Sequence, residues 1–162
     1  MPPPAPGAPL PDLKLQAAVS GREVSKATLA GRRAVLVVHG SRSTDAAKEV
    51  SKAVRARFKP AEVALASIVD LRSFGGLWRR VAEAQVKSNY DKLAAKVKEA
   101  DAAADPADWV VICPDWDGSA CLALGVAKPD DEPAVIVAGP DGKVLGTVLG
   151  SELGAKAMAL LG

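Results

Sequence analysis

The stretch Ala34-Val35-Leu36-Val37-Val38-His39-Gly40-Ser41-Arg42-Ser43-Thr44-Asp45-Ala46-Ala47 joins two patterns. Its first five residues are continuously apolar and rich in β-branched types, the mark of a strand buried on both faces. A glycine, hydroxyls and an arginine follow, and then helix formers. Ser43 or Thr44 is a suitable N-cap, and Asp45 falls in the first turn, where the dipole favours a carboxylate. Ala47, Val50, Val54 and Phe58 then recur at helical spacing. The stretch predicts a buried strand feeding straight into a helix.

Outward from this corner the pattern repeats. Residues 63–69 read as a second buried strand ending at Asp70, and residues 77–100 as a long amphipathic helix. The stripe of that helix is Trp78, Ala82, Val86, Tyr90, Leu93 and Val97, which places Trp78 in the core. Residues 101–108 form a polar link, and residues 109–113 a third buried strand. Pro114-Asp115-Trp116-Asp117-Gly118 turns into a short helix closed by Gly125. Residues 133–138 form a strand, Gly139-Pro140-Asp141-Gly142 a turn, and residues 143–149 its hairpin partner. Ser151 is placed to cap a final helix running to Leu161. Before the corner, residues 13–19 and Val24 read as short extended pieces, and residues 25–29 as a helical turn closed by Gly31. Strands alternating with helices predict an α/β fold with three layers, α/β/α, around a mixed central sheet with a C-terminal hairpin and helix.

With 162 residues the chain is long enough for one domain with a real core, here residues 10–162. Residues 1–9 carry five prolines and read as a flexible arm. The formal charge of +2 gives no reason to expect a nucleic-acid partner. Residues 72–100 hold seven Lys/Arg against three Asp/Glu, and residues 101–141 hold nine Asp/Glu against one Lys. We read these as two solvated faces. No run is long enough to span a membrane. The N-terminus has no charged start and no apolar core of a signal peptide. A cytoplasmic location is expected, although an export signal removed beforehand would leave the same sequence. Cys113 and Cys121 are too few for a disulfide scaffold.

Four stretches, in order, resemble the thioredoxin fold in its peroxiredoxin or redoxin branch (AhpC/TSA-like or YtfJ-like). They are Leu10-Pro11-Asp12-Leu13-Lys14-Leu15 with Gly21-Arg22-Glu23-Val24-Ser25 and Leu29-Ala30-Gly31-Arg32; the 34–38 strand; Pro114-Asp115-Trp116-Asp117-Gly118 with Leu124-Gly125-Val126; and Glu132-Pro133-Ala134-Val135-Ile136-Val137 with Pro140-Asp141-Gly142-Lys143-Val144. The resemblance implies that Pro133 is the family's cis-proline and faces the strand–helix corner. It also places the family's C-x-x-C on Thr44-Asp45-Ala46-Ala47, where both cysteines are missing. The peroxiredoxin pattern, a Thr three residues before a Cys at this helix start, is missing too. A thiolate is the nucleophile in both chemistries, and a threonine hydroxyl does not replace it at neutral pH.

Cys113 and Cys121 could form a redox pair across their turn, but their spacing fits no zinc or C-x-x-C motif, and free cysteines commonly serve as small core hydrophobes. The 40–44 segment is neither a P-loop nor a nucleophile elbow. Its helix start, with Ser41, Arg42, Ser43 and Thr44, suits a small anion. His39 is the single histidine and makes a poor metal site. Asp115 and Asp117 read as turn formers. Trp78 with Arg79, Arg80 and Lys87 suggests core packing more than a binding helix. The expectation is therefore a binding or interaction module without the family's cysteines. Its ligand cleft would be formed by Gly40, Ser41, Arg42, Ser43, Thr44 and Asp45 facing Glu132 and Pro133. No metal or cofactor is expected. The partner would be an unknown protein or small anionic ligand, with no nucleic acid and no membrane, and the chain a monomer or homodimer. The alternative is a thiol-disulfide oxidoreductase or peroxidase using Cys113 and Cys121. A third reading is an unrelated α/β fold binding an anion at 41–44.

Overall fold

The computed structural model describes residues 2–162. Two short antiparallel strands, β1 (Lys14–Gln16) and β2 (Glu23–Ser25), lead into the helical turn α1 (Lys26–Leu29). Ser25 and Thr28 close that turn as a reciprocal capping box. The chain continues through β3 (Arg33–Gly40), α2 (Thr44–Arg55), β4 (Val63–Asp70), the long α3 (Trp78–Ala100) and the short α4 (Pro106–Trp109). It ends with β5 (Ile112–Asp115), α5 (Ser119–Ala123), the hairpin β6 (Ala134–Ala138) and β7 (Val144–Leu149), and α6 (Leu153–Leu161).

The main sheet has the order β5-β4-β3-β6-β7. As the apolar run at 34–38 predicts, β3 is central. It pairs in parallel with β4, from Arg33 opposite Val63 to Gly40 opposite Asp70, and antiparallel with β6. β6 and β7 form the expected antiparallel hairpin. Side chains alternate across a strand, so an uninterrupted apolar strand feeds two cores. Val35, Val37, Leu65, Val135 and Val137 pack with Val50 and Val54 of α2 and with Leu153, Ala157 and Leu161 of α6. Leu36, Val38, Ile68 and Ile136 face the other way, onto Cys121, Leu124 and the N-terminal residues Leu10, Val24 and Leu29. This is the three-layer α/β architecture around a mixed sheet.

Four local expectations need correction. Trp109 belongs to α4, not to a strand: Asp105 accepts from the Ala107 N–H and Pro106 opens the turn, so the strand begins at Ile112. Trp78 is 67% exposed, because α3 turns only Ala82, Val86 and Tyr90 fully inward. Ser151 does not cap α6. Glu152 takes the cap position with φ 56°, and Glu49 of α2 accepts from the Gly154 N–H. The Glu132–Pro133 bond is trans, like every peptide bond among the described residues. Pro133 directly precedes β6, and its carbonyl accepts from the Gly150 N–H across the hairpin. Residues 4–8 of the Pro-rich arm lie along β7. The Gly7 N–H donates to the Val144 carbonyl, the Val144 N–H to that of Ala8, and the Thr147 hydroxyl to that of Pro4.

Candidate functional site

The β3–α2 corner is closed by the chain's own carboxylate. Asp130, from the turn before β6, accepts from the Arg42 N–H at 2.7 Å and from the Ser43 hydroxyl at 3.4 Å. The Arg42 guanidinium extends into solvent and returns its Nε to 3.6 Å from the same carboxylate. Gly40 is required here, since a Cβ on it would stand 2.2 Å from the Asp130 carboxyl carbon. Ser43 is the N-cap residue of α2, but its hydroxyl does not cap the helix. It accepts instead from the Gly40 N–H at 2.8 Å and donates to the Pro129 carbonyl at 3.0 Å, turning back into its own loop. Gly40, Arg42 and Ser43 therefore contact Pro129 and Asp130. Ser41 is exposed, Thr44 and Asp45 begin the helix, and Glu132 is exposed beside Pro133.

His39 sits beneath the corner at 4% exposure. Its Nδ1 lies 2.8 Å from the Gly40 carbonyl, which assigns the proton to that nitrogen. Burial holds its pKa below the ordinary value, against the weaker opposing pull of the Gly40 carbonyl and Asp130.

Cys113 and Cys121 are both free and both inaccessible, each at 0% exposure. They lie in the core beneath the sheet with Ile68 and Leu124. Desolvation pushes the Cys113 thiol up to about 12. Burial also raises the Cys121 thiol, helped by Asp115. Asp115, itself buried, accepts from the Cys121 N–H at 2.8 Å. Its strand neighbour Asp70 pairs with Arg72, whose Nε lies 2.9 Å from one carboxylate oxygen and whose Nη2 donates to the Ala127 carbonyl. Asp117 accepts from the Ser119 N–H at 2.9 Å, a turn-forming role as expected. Among the described residues no cluster of three His, Cys, Asp or Glu side chains is arranged to hold a metal. Among the described residues no helix is long and apolar enough to cross a membrane.

A larger feature escapes the sequence. α3 leaves a groove against α2, about 900 Å³ in volume, whose floor is the sheet face bearing Val37, Leu65, Ser67, Val69 and Ile112. Val86, Leu93 and Val97 line the α3 side, and Thr44 and His39 mark the end nearest the corner. Lys48, Lys52, Arg55 and Lys59 come from α2 and the turn after it, and Lys92 and Lys96 from α3. Asp101 is the single carboxylate on the lining. Spacing of four residues, at 48 and 52 and at 92 and 96, was the available signal. What it lacked was any indication that the two helices stand apart with these rows along one opening.

No family model matches the sequence, and no curated protein matches it. Solved structures do. The pneumococcal exposed lipoprotein thioredoxin Etrx1 from Streptococcus pneumoniae superposes with a TM-score of 0.63 at 15% identity, over 93% of this chain and 98% of that one. Peroxiredoxin Q from Xanthomonas campestris gives 0.60 at 19%, over 98% and 92%. The thioredoxin domain of a thiol-disulfide oxidoreductase from Bacteroides vulgatus gives 0.60 at 14%, over 98% and 99%. At these identities the likeness is one of fold: the chain has the thioredoxin-like fold of the redoxins.

Proposed function

We propose that this chain is a non-catalytic thioredoxin-fold protein that works as a binding or interaction module. One observation carries the reading: neither cysteine has access to solvent, and the strand–helix corner carries Thr44 and Ala47 in place of thiols. Thiol exchange and peroxide reduction both need an accessible thiolate, and burial here raises both thiols away from ionisation at neutral pH. The corner residues Gly40 to Asp45 with Glu132 and Pro133 are proposed as part of the recognition surface. Arg42 is its exposed charge, and Asp130 is the anchor that fixes the loop's shape.

Titration of the native protein with DTNB, together with insulin-reduction and peroxide-consumption assays, tests the proposal. No thiol should react until denaturant is added, and neither activity should exceed that of Cys113→Ser and Cys121→Ser variants. Turnover lost in either variant would establish the alternative, an oxidoreductase or peroxidase using Cys113 and Cys121.

A further inference from the structure

We propose that the groove between α2 and α3 binds a single-chain anionic amphiphile, a long-chain carboxylate, with its chain along the sheet and its head among the groove's cations. The inference rests on the reading of the chain as a binding module and supplies its ligand class.

Two independent features of the groove select the ligand. The first is its apolar interior. Helices covering a sheet ordinarily bury the sheet's apolar face. Here half-buried Ser67 and Ile112, with the buried Leu65 and Val69 beside them, form a floor between α2 and α3, and Leu93, 38% exposed, opens onto it. The volume of about 900 Å³ is within the range of small-molecule sites. The α2 wall from Thr44 to Arg55 gives a slot roughly 17 Å long, suited to an extended chain more than to a compact ring.

The second feature is charge. Five lysines and Arg55 line the groove against Asp101 alone, in a chain whose total formal charge is only +2. Arg55 is the most telling of these. Its Nη1 donates to the Val63 carbonyl at 2.8 Å, while Nε and Nη2 are shielded from solvent and have no hydrogen-bond partner among the described residues. These two N–H groups are covered by protein and unpaired, so the guanidinium acts on the groove through its uncompensated charge. No acidic side chain offsets this desolvated charge, and Arg32 adds to the positive field. Such a charge favours an anion at its end of the groove, where Lys52 and Lys59 also stand. The Trp109 ring lies 5.7 Å from the guanidinium carbon, so it borders the same end. An apolar slot with this cationic end fits a carboxylate on a hydrocarbon chain. A neutral lipid would leave the charge unmatched.

The test is calorimetric titration of the full-length protein with tetradecanoate below its micelle concentration. Comparison titrants are hexanoate, tetradecyltrimethylammonium, phosphatidylserine vesicles and an acidic amphipathic helical peptide. Tetradecanoate should bind at one site, with hexanoate and the cationic amphiphile at least about tenfold weaker. A Lys52→Glu, Lys96→Glu double variant, altered only on the rim, should weaken tetradecanoate by roughly tenfold or more with an unchanged melting temperature. Ser67→Phe, which fills the floor, should abolish binding; should it fail to fold, the rim variant decides alone. The proposal is overturned if tetradecanoate does not bind, if the cationic amphiphile binds equally well, or if rim reversal changes nothing. Binding only to the vesicles or only to the peptide overturns it in favour of a membrane surface or a protein partner. Insulin and peroxide assays on the same samples report separately on the non-catalytic reading, so either conclusion can fail without the other.

Discussion

His39 and Gly40 show how single residues set the corner. A buried neutral imidazole resists protonation, so the unfolded chain takes up a proton that the folded chain refuses. The His39 contribution to stability is therefore complete above the ordinary value of 6.5 and falls as the pH drops below it toward the lowered folded value. Urea midpoints measured from about pH 7.5 to about pH 5 should decline more steeply in the wild type than in His39→Gln. Parallel curves would mean that His39 charges without cost. Gly40 gives a steric counterpart. Its missing Cβ is the space that the Asp130 carboxylate fills. Gly40→Ala should expel Asp130 from its bonds to Arg42 and Ser43, at a cost of about 1–3 kcal/mol in urea unfolding. Asp130→Ala should cost a similar amount, and the double variant should cost much less than the sum of the two, because both changes break the same contact.

At the scale of elements, α2 and α6 are coupled end to side. Glu49, in the middle of α2, accepts from the Gly154 N–H in the first turn of α6, and so supplies the cap that Ser151 does not. Glu49→Ala should destabilise the protein by about 1 kcal/mol, the usual worth of a helix cap, while Ser151→Ala should leave it unchanged. Urea unfolding of the two variants checks the pair, and equal losses would defeat the assignment. The same elements show what is legible in sequence. The 34–38 and 63–69 runs declare themselves because both faces of each strand are buried almost throughout, so every position is apolar except Ser67, which lies on the groove floor. The stripe on α3 is legible only in its middle. Ala82, Val86 and Tyr90 point inward, but Trp78 and Leu93 keep the helical spacing while the helix passes beyond or away from the sheet beneath them. Periodicity identifies a face and is silent about how far a partner extends. For that reason the groove, which exists only because α3 stands off α2, left no mark beyond two pairs of lysines. Asp130 was equally hidden: its role is created by a loop meeting the corner from 88 residues away.

For the whole molecule, the N-terminal segment does the work of closing the sheet. A five-stranded open sheet has two edges, each with unpaired backbone groups that invite pairing with another chain. The Ala18 N–H donates to the Ile112 carbonyl on β5, at one edge. Gly7 and Ala8 exchange bonds with Val144 on β7, at the other. Between these contacts Leu10, Val24 and Leu29 cover the sheet face that holds both cysteines. The N-terminal segment through Ala18 is thus a strap across one layer and both edges, and the prolines of its first nine residues suit an extended path that needs few N–H donors. Removing residues 1–9 should cut the contacts at β7 while leaving the Ala18 contact in place. β7 would then present Val144 and the exposed side chains of Leu145 and Leu149 along a free edge. The truncated protein should lose about 1–3 kcal/mol in urea unfolding, from two bonds at Val144 and one at Thr147. It should also shift toward larger species than the full-length chain in sedimentation velocity as concentration rises. Lys substituted for Leu145 in the truncated protein should reverse that shift, since an edge lysine opposes strand pairing. If truncation changes neither stability nor association, the bonds at Val144 do not protect the edge, and β7 is kept from pairing by its own twist and by the irregular register beside Ala138.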